Sequence, residues 1–278
     1  MKSAVPNLLF IMLLFSAVAF AASVEMIEPV VASVSDGDVV NLGTIGPGQT
    51  LAITVNGKAV GKDGLQANWG ILGVMELPNG WSGFDSKVYA QSMRSTIKAE
   101  PTAADGNYMI KFKLTECESV NEECEAKQGL GSVTFFGRIT VSRDVLSTSA
   151  QIASITTGVG QPARYPLVIE NKGSASDVFE ISAEGVPAWD IKKTVHVAAG
   201  QTHNTFYEIA VDEEKEYAPT IIVKSLSSDE LKHSHDVKLN VKSDVIGDIK
   251  ASKNGILLFP IALEPLYTVV GLLGYFMG

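Results

Sequence analysis

From residue 25 to residue 250 no stretch of the chain keeps an apolar stripe at helical spacing; its apolar residues come in short runs that alternate with polar ones. Successive side chains on a strand point to opposite faces, so an alternating run buries one face and wets the other only as a β-strand. Tyr108, Ile110, Phe112 and Leu114 share one face, with Lys111, Lys113 and Thr115 on the other. Val133, Phe135, Ile139 and Val141 do the same opposite Thr134, Arg138 and Thr140. Phe179 and Ile181 alternate with Val178, Glu180 and Ser182, and Val237, Leu239 and Val241 alternate with Lys238, Asn240 and Lys242. Gly, Pro, Asn and Asp separate the runs, and many short strands divided by turn signals predict an all-β sandwich or barrel.

A chain of 278 residues is long enough for about two domains, each with its own core. The small polar stretch Ser147–Gln151 places the boundary, giving a divergent β-sandwich over 22–146 and a second sandwich over 147–243. The glycine-rich segment 57–73 reads as a long loop of the first domain. Its GxGxxG-like spacing, and that of 43–48, lacks the following helix a phosphate site needs. The formal charge of -9 argues against nucleic-acid binding, which needs clustered Lys and Arg to release counterions. It argues equally against electrostatic docking on anionic lipid.

Both ends read as membrane addresses. Lys2, the apolar run Leu8–Phe15 and the small-x-small Ala19–Phe20–Ala21 have the layout of a cleavable signal peptide over 1–21. Residues 244–255 form a short polar juxtamembrane linker. Residues 256–277 are long and apolar enough for a transmembrane helix, with Glu264 as their one charge and Pro260 and Pro265 as kinks. Lys250 and Lys253 precede this span and no Lys or Arg follows it, a poor positive-inside pattern. A re-entrant or partner-buried hairpin and a tail processed for a lipid anchor therefore stay open beside an ordinary span. An intramembrane carboxylate usually faces a polar partner or a neighbouring helix. Glu264, with Pro260 and Pro265, is accordingly the candidate contact to a membrane-protein partner.

The second domain carries a chain of motifs. These are Leu167–Gly173 with its Asn–Lys–Gly turn, Phe179–Ile181, Val186–Pro187–Ala188–Trp189, Val197–Thr202 with its Ala–Gly–Gln turn, Tyr207–Val211 and a closing strand to Val241. That order resembles the Ig-like sandwiches of bacterial and archaeal surface proteins, of the alpha-galactosidase-associated and cell-adhesion-related types. The resemblance covers about a third of the chain. It implies Ig-like sandwiches that act as spacers, adhesive modules or accessories to neighbouring activities. The first domain reuses some of this vocabulary, in Gly46–Thr50 and Leu77–Trp81, in a different order.

Four groups of residues are chemical candidates. Cys117 and Cys124 flank a short loop and, in an exported protein, are expected to close it as a disulfide. Glu116, Glu118, Glu122, Glu123 and Glu125 crowd the same loop, without the Asp-x-Asp-x-Asp-Gly spacing of a calcium site. His233 and His235, two apart on a strand, share one face and are weak candidates for Zn²⁺ or Cu²⁺ if His196 or His203 approaches. Catalytic signatures (His-Glu-x-x-His, a Gly-x-Ser-x-Gly elbow, a Walker loop) are missing from the sequence. The expectation is therefore a non-enzymatic, exported, membrane-anchored protein with two extracytoplasmic Ig-like domains and no cofactor. Two other readings stand beside it: an accessory subunit of a membrane complex contacting its partner through the Glu264 tail, and a module for a surface glycan or protein ligand.

Overall fold

The computed structural model describes residues 23–56, 58–60, 66–68, 70–88, 90–115, 132–187 and 189–242. The expected signal peptide, the Cys117–Cys124 loop with its glutamates, and the tail containing Glu264, Pro260 and Pro265 lie outside these residues. Among the described residues no helix is long and apolar enough to cross a membrane.

Among the described residues the first unit has eleven strands. They are β1 (Ser23–Glu28), β2 (Ala32–Ser35), β3 (Val39–Ile45), β4 (Thr50–Asn56), β5 (Lys58–Val60), β6 (Gln66–Asn68), β7 (Ile71–Glu76), β8 (Ser82–Phe84), β9 (Ser92–Lys98), β10 (Gly106–Thr115) and β11 (Ser132–Val141). One sheet runs β6-β5-β1-β4-β9-β8 with β2 on β1, and the other runs β3-β11-β10-β7. Segment 57–73, expected as a loop, thus holds two short paired strands and the start of β7. The alternation of β10 and β11 buries Phe112 and Phe135, whose rings stack with centroids 5.2 Å apart.

A 3₁₀ turn over Arg143–Val145 leads into the second unit, which among the described residues has ten strands. They are β12 (Leu146–Ala150), β13 (Ser154–Thr157), β14 (Ala163–Asn171), β15 (Asp177–Glu184), β16 (Lys193–Val197), β17 (Thr202–Ile209), β18 (Glu216–Tyr217), β19 (Thr220–Ser225), β20 (Lys232–Asp236) and β21 (Lys238–Val241). Sheets β12-β14-β17 and β16-β15-β19-β20 cover a second core around Tyr165, Phe179 and Tyr207, and β13-β21-β18 extends it. Trp189 packs against that core and donates its indole N–H to the Tyr207 hydroxyl (3.2 Å).

The two units share one connectivity. In each, the opening strand pairs antiparallel in one sheet (β1 with β4, β12 with β14), and a later strand crosses to pair parallel with the last (β3 with β11, β13 with β21). The antiparallel ladders β4–β9 and β7–β10 of the first unit recur as β14–β17 and β15–β19 in the second. Non-sequential pairing of this kind across two packed sheets is Ig-like sandwich topology. The units differ at their edges: β2 and β5 extend β1 in the first only, and β8 flanks β9 in the first whereas β16 flanks β15 in the second.

Candidate functional site

The two sandwiches meet through turns, and the sequence explains which ones. Gly46–Pro47–Gly48–Gln49 closes the tight turn before β4, with the Gln49 N–H donating to the Gly46 carbonyl (3.2 Å). Gly48 has φ +71°, and an ideal Cβ there would lie 2.0 Å from the Ser227 carbonyl oxygen of the second unit. Only glycine allows both that backbone angle and that approach. Opposite, the Asn171–Lys172–Gly173 turn is held by Asn171, whose amide donates to the Ala175 and Val197 carbonyls (2.8 and 3.1 Å). This turn docks on the first unit, with Ser174 N–H donating to the Thr44 carbonyl (2.7 Å) and Ser174 Oγ accepting from Thr44 N–H (3.2 Å). Ala175 is buried in the first unit's core cluster.

At the centre of the joint lies Asp177, 4% exposed. Its Oδ2 accepts from Gln49 Nε2 (2.8 Å) and Ser225 Oγ (2.7 Å), and its Oδ1 from Ser227 Oγ and Val178 N–H (both 2.8 Å). Four donors, one of them from the other sandwich, take the place of water around a buried carboxylate, the condition under which burial is tolerated. Arg143, in the linking turn, adds ion pairs to Asp105 of the first unit and Glu230 of the second.

Beside this joint the outer face of β4 and β9 runs into a groove against the second unit. Register sets the rows: Thr50 lies beside Lys98, Ala52 beside Thr96, Thr54 beside Arg94. β8 adds Ser82 next to Lys98 and Phe84 next to Thr96. Two adjoining hollows sharing Thr50 and Ser176 open here. One, about 280 Å³, reaches Lys98, His196 and Ser227; the other, about 300 Å³, reaches Arg94, Thr96 and Glu28. Phe84 is 71% exposed, a large apolar side chain left in solvent. A larger hollow, about 420 Å³, lies along β13, β18 and β21 and presents a single carboxylate, Glu216, and a single amine, Lys238.

The sequence candidates fall elsewhere. His233 and His235 lie on β20 in register with Val223 and Ile221, on the core-facing side of a sheet edge. His235 Nε2 meets Thr148 Oγ1 of β12 at 2.7 Å, bridging the gap between the two sheets. Burial, with the neighbouring His233, pushes the His235 pKa down. His196 opens into the groove and His203 sits on β17 in register with Ile169. Among the described residues no three His, Cys, Asp or Glu side chains gather as a metal site. Sequence reading missed Gln49, Asp177, Arg94 and Lys98. The buried glycine-turn glutamine was the available signal, but its partner lies 128 residues away.

No family model matches the chain, and no curated protein sequence does. Among solved structures it is similar to the chimeric titin Z1Z2, at 11% identity and TM-score 0.32, over 81% of this chain and 99% of that one. It is similar to the fibronectin(III)-like modules from Clostridium thermocellum at 11% identity and TM-score 0.27, over 79% of this chain and 94% of theirs. A CARDB domain from Pyrococcus furiosus matches at 14% identity and TM-score 0.25, over 34% of this chain and 85% of that domain. At these scores the likenesses bear on neither ligand nor activity.

Proposed function

We propose that the chain is a non-catalytic display protein, exported and held at a membrane by its apolar tail, in which two Ig-like sandwiches act as one stiff body presenting a binding surface. The observation that carries this reading is the joint. A spacer that merely tethers needs no interdomain order, and relative motion is the default for domains in tandem. Here the Gly48–Ser227 approach, the two Thr44–Ser174 hydrogen bonds and the four-donor Asp177 cluster tie the units together. The groove beside the joint combines surfaces of both sandwiches, so its shape depends on their fixed angle.

The test is a distance distribution between labels placed at Ser92 and Lys232 of the full chain in detergent, by a chemistry that spares cysteine. A single narrow distribution is the expected result. A broad or multi-peaked one refutes the stiff-body reading. Protease protection of intact membranes reads the anchoring separately, with both sandwiches expected on the extracytoplasmic side.

A further inference from the structure

Strand β9 alternates buried Met93, Ser95 and Ile97 with outward Arg94, Thr96 and Lys98. Arg94 and Lys98 are four residues apart on one face, which at about 3.3 Å per residue separates their backbones by about 13 Å. Among the described residues neither side chain has an ion pair or a hydrogen bond, whereas Arg143, Arg164, Lys111 and Lys224 are each paired to a carboxylate. Midway between the two cations, Phe84 stands in register with Thr96. The strip therefore reads cation, aromatic ring, cation. Thr50, Ser82, Thr96 and Ser176 offer hydroxyls along it, and His196 stands on the far wall.

Two carboxylates border the strip. Glu28 closes the Arg94 end, with its Oε2 accepting from the Thr54 hydroxyl (2.8 Å). Asp177 faces the Lys98 end with both oxygens occupied by donors.

We infer that this strip, a local pair of cations on a chain whose net charge of -9 excludes only binding through the whole surface, binds an acidic polysaccharide, an inference that rests on the display reading above and names its ligand class. Carboxylate groups on the polymer pair with Arg94 and Lys98, where charge assistance strengthens the hydrogen bonds. The intervening sugar lays its C–H face on the negative face of the Phe84 ring, and the flanking hydroxyls meet the Thr and Ser side chains. With their backbones about 13 Å apart on one face, Arg94 and Lys98 suit two carboxylates carried at intervals along an extended polyanion. An acidic peptide fits less well. The outer face of β4 and β9 offers it no main-chain partners; the sheet edges beside the strip are β8, three residues long, and β16, five residues long, and strand addition at either is what the poly-L-glutamate arm detects.

The experiment titrates the full chain in detergent micelles with polygalacturonate oligosaccharides, with dextran as the uncharged polymer and poly-L-glutamate as the acidic peptide. Saturable binding of polygalacturonate that weakens as NaCl rises is expected. The double variant Arg94→Gln/Lys98→Gln should weaken it about tenfold or more, the loss of two charge-assisted contacts. Phe84→Ser should weaken it about threefold, and Lys232→Gln, on β20, should leave it unchanged. All four positions are exposed, and matched unfolding midpoints show that the variants fold. Absence of saturable binding, equal binding of dextran, or indifference to the double variant overturns the inference. Preference for poly-L-glutamate overturns it too, in favour of an acidic peptide. The label-distance measurement is independent: a narrow distance with no polygalacturonate binding rejects the ligand and leaves the stiff body standing.

Discussion

Gly48 and Gly37 have nearly the same backbone angle, φ +71° and +87°, but different surroundings. Around Gly37 an added Cβ meets nothing within 4 Å, whereas at Gly48 it meets the Ser227 carbonyl. Gly37→Ala therefore costs only left-handed backbone strain, about 1–3 kcal/mol. Gly48→Ala adds a clash that pushes the second sandwich away, and its loss in urea unfolding should exceed that of Gly37→Ala. Equal losses would show that the approach to Ser227 contributes nothing.

At the opposite edge, His235 makes a pH statement. Its folded pKa lies below the unfolded value because burial disfavours the imidazolium. Between those two values the unfolded chain binds more protons, so this contribution to stability is complete above about pH 6.5. It falls as pH drops toward the folded pKa. His235→Gln should flatten the pH dependence of the thermal midpoint between pH 7 and 5 relative to wild type. An unchanged slope would mean that the ring is not desolvated at the Thr148 contact.

Among elements, strands with strict alternation are legible in the residues alone. Runs β10, β11, β15 and β21 match the faces read from their residues, because one buried face imposes a period of two. Trp189 at the second core and the Asn171–Gly173 and Ala199–Gln201 turns were legible for the same local reasons. What could not be read is pairing at long range. The parallel ladders β3–β11 and β13–β21 join segments about 90 residues apart (Val39 to Phe136, Ser154 to Lys238) and leave no mark in local periodicity. One mark was present and unused. Gly137 interrupts the apolar face of β11 between Phe135 and Ile139. An added Cβ there would lie 2.4 Å from Leu42 Cδ1 and 2.9 Å from Phe112 Cε2, so the gap is where β3 lays Leu42 against the hairpin. A glycine inside a strand often signals such an approach. Gly137→Val should overpack this point and cost about 1–3 kcal/mol in urea unfolding, and a neutral result would mean that Leu42 moves aside freely.

On the scale of the molecule, Asp177 links the stability of one sandwich to the other. The candidate site was illegible in sequence for the same reason: Gln49 and Asp177 become neighbours only after both units have folded. Removing the carboxylate strands Gln49 Nε2, and Gln49 is fully buried. A buried donor without an acceptor costs about 1–3 kcal/mol. Ser225 and Ser227 lose their acceptor as well. That cost falls on the docked state, because undocked turns can return these groups to water. Wild type is therefore expected to unfold in one calorimetric transition, each sandwich being stabilised by the other's presence. In Asp177→Ala the endotherm should split, with one unit melting before the other. Asp177→Asn keeps one acceptor oxygen for Gln49 and should fall between the two. A wild-type endotherm already resolved into two, or an Asp177→Ala endotherm that stays single and unshifted, would show that the sandwiches are coupled elsewhere or not at all.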